Sequence, residues 1–209
     1  MQNYDYIVYI GRFQPFHNGH MATLSKALRI GQRVIIVLGS ANSPRNFKNP
    51  WTSAEREIMI RSSLSAVENE LVEFIAVEDR LYNNDKWLVM VRNEVDKIIA
   101  TTRSQLVFDE DDYNDPKYKF KIAIIGHNKD ETSFYTREFP DWTVVETGAY
   151  IKEHSNRGKP VGATMIRHLI FTDELGYVES NVPHAVYTFL ENFTDTAEFE
   201  YVQGDFNHY

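Results

Sequence analysis

The sequence predicts an α/β fold: a doubly wound parallel sheet of five strands with helices on both faces. Three observations predict it. Short apolar runs alternate with stretches whose apolar residues recur at helical spacing. The runs are almost continuous in Val, Ile and Leu, as strands covered on both faces are. The strand–helix–strand order repeats along the chain, which lays parallel strands side by side.

Residues 6–10 read as the first strand. Residues 20–30 follow as a helix, with Met21, Leu24, Ala27 and Leu28 on one side. Residues 33–39 are the second strand, rich in Val and Ile. Residues 52–64 read as helical, with Thr52 or Ser53 as N-cap and Glu55 in the first turn. Residues 72–77 are the third strand. Residues 86–100 form an amphipathic helix with Trp87, Val91, Val95, Ile98 and Ile99 on its apolar side. Residues 120–125 are the fourth strand, 132–139 a short helix and 142–147 the fifth strand. Helices at 162–171 and 183–193 complete the set. This is a Rossmann-like layout. Such sheets bind ligands beyond the carboxyl ends of their strands, where the strand order reverses. The loops after Ile10, Leu38, Val77, Ile125 and Thr147 are therefore the places to look.

Composition narrows the function classes. The 209 residues suit one domain, and 43% of them are hydrophobic, enough for a large core. With no cysteine, disulfides, thiolate catalysis and cysteine zinc sites are excluded. A net charge of −8 disfavours a nucleic-acid partner. The longest apolar runs, at 34–38 and 122–125, are too short to cross a bilayer, and no signal peptide is evident, so a cytoplasmic protein is expected. Local cations remain available to a small anion: Arg12, Arg45, Lys48, Arg56, Lys129, Arg157, Lys159 and Arg167 fall mostly in turn-like segments. The acidic stretch 101–119 lacks the sixth-position Gly and the final Glu of a calcium loop and reads as an irregular solvated segment.

The first strand ends in Gly11-Arg12-Phe13-Gln14-Pro15-Phe16-His17-Asn18-Gly19-His20. A glycine-containing loop entering a helix N-terminus offers free N–H groups and the positive end of the helix dipole to an anion. It is neither a Walker A loop nor a GxGxxG loop. His17 and His20 are three apart and share a face of the first helical turn. Gly19 lets backbone approach a ligand. Two imidazoles placed there suit a triphosphate; taken alone, they equally suit a surface pair or a metal pair.

The full ten-residue string resembles the signature of the archaeal-type nicotinamide mononucleotide adenylyltransferases. It also resembles the N-terminal domain of bifunctional enzymes that join such a domain to a Nudix hydrolase. The likeness continues through Gly39-Ser40-Ala41, Asn49-Pro50-Trp51-Thr52 with Glu55-Arg56, Tyr82-Asn83-Asn84-Asp85-Lys86-Trp87, Gly126-His127-Asn128-Lys129-Asp130 and Ala163-Thr164-x-x-Arg167. It spans about residues 4 to 192.

That resemblance implies roles. His17, His20, Arg12 and Arg167 would be the catalytic set, stabilising phosphate charge. ATP would be bound by Gly11, Arg12, Phe13, His17, Gly19, His20, Arg45, Gly126, Asn128, Lys129, Thr164 and Arg167. The mononucleotide would meet Phe13, Gln14, Ser40, Asp79, Asn83, Asn84 and Trp87, an aromatic ring stacking on the pyridine. Magnesium would arrive with the ATP phosphates, with no ligands from protein side chains. Relatives of the archaeal type form homo-oligomers. Chemistry agrees: a phosphate monoester has a second pKa of about 6, so the attacking phosphate is ionised at neutral pH and needs no general base. What remains is alignment and neutralisation of charge.

Simpler readings stand beside these. Trp87 also fits plain helix core, Asn83-Asn84-Asp85 a turn and helix cap, and Arg167 an ion pair with an acidic neighbour. Many relatives carry Ser or Asn where Gly162 stands, which removes one side-chain hydrogen bond from that turn. Nothing after Arg167 resembles a Nudix box. Residues 1–193 therefore read as the nucleotidyltransferase domain and 194–209 as a tail without a Nudix domain. A related enzyme with phosphopantetheine or glycerol phosphate as acceptor, or a non-catalytic sensor of NAD or ATP, are the alternatives.

Overall fold

The computed structural model describes residues 2–79, 83–106, 119–126, 138–147 and 162–206. Strands β1 (Tyr4–Gly11), β2 (Gly31–Leu38), β3 (Val72–Ala76), β4 (Ile122–Gly126) and β5 (Thr143–Glu146) form one sheet in the order β3-β2-β1-β4-β5. Every pairing is parallel, as expected.

Side chains alternate across the sheet with the strand period of two. Ile7, Tyr9, Val34, Ile36, Leu38, Ala123 and Ile125 face one side. There they meet α1 (Asn18–Ile30), α2 (Ser53–Arg61), α5 (Ala163–Phe171), α6 (His184–Thr194) and α7 (Ala197–Phe206). Tyr6, Val8, Ile10, Ile35, Val37 and Ile124 face the other side, under Val91, Val95 and Ile99 of α4 (Asn84–Leu106). Each fully buried Val, Leu or Ile stabilises the fold by about 1.5–3 kcal/mol relative to exposure. Burial on both faces explains why the strands read as unbroken apolar runs. Among the described residues no helix is long and apolar enough to cross a membrane.

Several boundaries differ from the sequence reading. Residues 101–106 are helical rather than irregular. The helix runs through Thr101 and Thr102, whose hydroxyls bond back to the carbonyls of Lys97 and Ile98. Helix α2 stops at Arg61, and a short helix α3 (Ala66–Glu70) follows, started by a reciprocal cap between Ser65 and Glu68. Glu138 and Phe139 are not helical, and the rest of the helix expected at 132–139 lies outside the described residues. The segment beyond Thr194 had no expected element, yet it forms α7. Thr196 caps that helix, Phe199 and Val202 are buried, and the Asp205 carboxylate accepts from the Phe47 N–H at 3.0 Å.

Candidate active site

The strand order reverses between β1 and β4: β2 and β3 lie on one side of β1, β4 and β5 on the other. The loop at residues 12–17 leaves β1 at this switch point. Its path is strained. Phe13 has φ +50° and, after β2, Ser40 has φ +54°. Left-handed backbone costs a residue with a side chain roughly 1–2 kcal/mol, so neighbours must hold it. The Phe13 ring folds back over Gly11, where an added Cβ would stand 2.7 Å from its Cζ. The Gly39 N–H donates to the Gly11 carbonyl at 3.0 Å and ties the two strand ends together.

The histidines form the start of α1. His17 is the N-cap, and its side chain accepts from the His20 N–H through Nδ1 at 3.3 Å. The His17 N–H donates to His20 Nδ1, also at 3.3 Å. This is a capping box built from two imidazoles. The rings stack with centroids 3.6 Å apart and 18° between planes. His20 also meets the edge of Phe13 at 4.9 Å. Gly19 permits the stack, because a Cβ there would lie 3.1 Å from His17 Cε1. The box fixes the chemistry of both rings. Each Nδ1 lone pair is used as an acceptor, so the proton of each neutral ring sits on Nε2. The two Nε2–H groups lie on stacked rings at the start of α1. A metal on either Nε2 would force the proton onto Nδ1 and break the cap.

Guanidinium groups surround the same loop. Arg167, 4% exposed, donates from Nη1 to the Gln14 carbonyl at 2.7 Å and from Nη2 to the Thr164 hydroxyl at 3.2 Å. No carboxylate is among its partners in the described residues, so the ion-pair alternative is not observed. Arg56 is fully buried and donates from Nη1 to the carbonyls of Arg12 and Gly39, both at 2.7 Å. Burial first, and the Arg12 charge second, hold both Arg56 and Arg167 down to about 10. Arg12 itself is exposed. Arg56 was absent from the sequence-derived site. A signal existed: with Met59 and Ile60 it makes the i, i+3, i+4 face that α2 buries.

Two residues expected to meet ligands, Arg45 and Gln14, also hold the fold. Arg45 makes a bidentate ion pair with Glu55, both bonds 2.8 Å, and donates to the Pro50 carbonyl at 2.7 Å. Gln14, 2% exposed, pairs its amide with the Trp51 backbone in both directions, at 2.7 and 3.0 Å. Each braces the 45–51 turn. Burial pushes the Glu55 carboxyl up, but hydrogen bonds from Arg45 and Thr52 outweigh it and leave the group below its ordinary range. A lowered carboxyl pKa contributes stability that is present above the unfolded value and lost as pH falls through the folded one. Thermal melts from pH 7 to 3 should show that loss, and Glu55→Gln should flatten it.

The remaining candidates spread over neighbouring loops. Ser40 is buried beyond β2. Asp79, exposed, accepts from the Ser43 hydroxyl at 3.4 Å, and its N–H donates to Asn42 Oδ1 at 2.9 Å, joining the loops after β2 and β3. Asn83 accepts from the Lys86 N–H at 2.9 Å and caps α4; Asn84 is exposed and Trp87 half-buried on the apolar side of that helix. Gly126 ends β4 and accepts from the Thr147 backbone and hydroxyl. Thr164 lies in the first turn of α5, whose N-cap Gly162 provides no side-chain bond. Met165 and Ile166 donate to the Gly162 carbonyl, and among the described residues the Ala163 and Thr164 N–H groups meet no acceptor. Asn128 and Lys129 lie outside the described residues. Among the described residues no three His, Asp or Glu side chains gather to hold a metal ion. The groups that do gather are donors and cations, which suit an oligophosphate.

Comparison with known proteins agrees with this geometry. The cytidylyltransferase-like family matches residues 8–168. A nicotinamide/nicotinic acid mononucleotide adenylyltransferase of Acinetobacter baylyi is 35% identical over 203 residues, 97% of this chain and 94% of that protein. A nicotinamide-nucleotide adenylyltransferase of Methanosphaerula palustris is 30% identical over 73% of this chain and 80% of its own length. The bifunctional NMN adenylyltransferase/ADP ribose pyrophosphatase of Francisella tularensis superposes with a TM-score of 0.76 at 29% identity. The match covers 98% of this chain and 54% of that one, so this chain spans about half the length of the Francisella protein. A second structure of that protein, complexed with AMP and a manganese ion, superposes with a TM-score of 0.74. The chain belongs to the cytidylyltransferase-like family and, within it, to the nicotinamide/nicotinic acid mononucleotide adenylyltransferases.

Proposed function

We propose that this chain transfers the adenylyl group of ATP to nicotinamide mononucleotide, forming NAD and releasing pyrophosphate. The observation that carries the reading is the stacked His17–His20 pair at the N-terminus of α1, in the loop that exposes Arg12. A 5′-phosphate oxygen of the mononucleotide attacks the α-phosphorus of ATP. The new P–O bond forms as the bond to the β-phosphate oxygen breaks, and pyrophosphate leaves. The nucleophile is already ionised near neutral pH, since its second pKa is about 6. The chain's contribution is to align the two phosphates and to meet the charge that develops on the α- and β-phosphate oxygens. His17, His20 and Arg12 supply donors from one side, and the uncapped start of α5 at Thr164 supplies N–H groups from the other. ATP would enter with magnesium, which would supply charge neutralisation on the phosphates.

The start of α4 is the proposed nicotinamide side. Asn83 spends its carbonyl oxygen on the Lys86 cap and keeps its NH₂ for a ligand. Trp87→Ala should raise the KM for the mononucleotide several-fold and leave that for ATP nearly unchanged. An equal rise in both would assign Trp87 to the core instead.

The deciding assay incubates the protein with ATP, magnesium and nicotinamide mononucleotide, and follows NAD and pyrophosphate. A parallel reaction with the nicotinic acid mononucleotide reads the preference between the two. Consumption of phosphopantetheine or glycerol phosphate with no NAD formed would overturn the proposal, as would tight NAD binding without turnover.

A further inference from the structure

The first loop is held from two sides by buried cations, at carbonyls that flank one residue. Arg56 of α2 takes the carbonyl of Arg12, along with that of Gly39, while its Nε takes Thr52 at 3.2 Å. Arg167 of α5 takes the carbonyl of Gln14. Between the two held carbonyls stands Phe13 with its left-handed backbone. Both stems are fixed. Met59 and Ile60 anchor α2 in the core, and Ile166 and Ile170 anchor α5. In the loop, Phe13, Gln14, Pro15, Phe16 and His17 are buried, and Arg12 alone is exposed.

Charge acts in the same sense. Three guanidinium groups meet at this loop, and Arg12 is close enough to disfavour the charge on both buried ones. Of the three, only Arg12 is exposed. A guanidinium is suited to this task because its planar fork bonds three carbonyls at once. A lysine ammonium, a compact point donor on a flexible stem, would not reproduce that geometry.

We propose that Arg56 is a positioning residue for adenylyl transfer: with Arg167 it clamps the backbone on either side of Phe13 and so presents the Arg12 guanidinium to the phosphates of ATP. The inference rests on the functional reading above. Arg56 itself touches no substrate and acts through Arg12.

A double-mutant cycle tests it, using the full chain and the variants Arg56→Lys, Arg12→Ala and the pair together. Thermal melts check folding, and kcat and KM are measured for each substrate. Arg56→Lys is expected to lower kcat/KM for ATP about tenfold, within the coupling typical of groups in one network. The KM for the mononucleotide should stay within about twofold. In the Arg12→Ala background the same change should cost less than about twofold, because the group it positions is gone. Equal losses in both backgrounds, or an Arg12→Ala variant with normal kinetics, would overturn the clamp. If Arg56→Lys does not fold, Arg56→Gln removes the buried charge and takes its place in the cycle. If the wild-type chain forms no NAD, the functional reading fails alone. The cycle is then read from binding of a non-hydrolysable ATP analogue, where the same non-additivity is expected and additive losses overturn the clamp.

Discussion

Turnover of the His20→Ala variant should fall by roughly 10² to 10³, the usual cost of removing one preorganised donor from a site of developing charge. Alanine deletes the Nε2–H and leaves water or nothing in its place. It also deletes the acceptor for the His17 N–H, so the start of α1 loses one half of its cap. A lost cap typically costs about 1 kcal/mol, which lowers the melting temperature by only a few degrees in a chain this size. The two effects separate cleanly. A variant that melts within a few degrees of wild type yet turns over a hundred times more slowly supports the phosphate role. Near-normal kcat at saturating ATP would sink it.

Gln14→Leu should produce the largest loss of stability. The side chain is buried and answers both polar groups of the Trp51 backbone. Leucine fills similar space and answers neither. Two buried, unpaired backbone groups at about 1–3 kcal/mol each suggest a total of about 2–6 kcal/mol. The measurement is denaturant or thermal unfolding, with the mononucleotide KM beside it. The resemblance assigned Gln14 to the mononucleotide. Unchanged stability with a raised KM would favour that assignment and remove the structural one.

The fold was legible from Val and Ile runs because both faces of this sheet are covered, so no strand needs a polar face. The α2 cap was legible for a local reason: Thr52 and Glu55 need only each other. The loop that carries the candidate site was equally plain, since its histidines interact within one turn. Side-chain direction was not. Arg12, Arg45, Arg56 and Arg167 are alike in a sequence, yet one faces solvent, one is locked to Glu55 and two are buried against backbone carbonyls. Those outcomes depend in part on distant partners, Arg167 on a carbonyl 153 positions away. Helix α7 was missed for a related reason. Its apolar positions, Phe199, Val202 and Phe206, do follow a helical period, but the surface that accepts them, Phe47 and Phe171, is built from distant segments.

The imidazole capping box places two demands on the same pair of positions. Serine, threonine, aspartate and asparagine are the preferred helix caps. Any of them at position 17 would serve the start of α1, and none would leave a ring N–H in the same place. Selection for thermal stability alone would therefore drift away from histidine at this point. A library sorted only for folding would enrich shorter polar caps here, whereas one sorted for product would return the imidazoles. Position 17 is thus a place where the ranking of substitutions by melting temperature and the ranking by turnover should run in opposite directions.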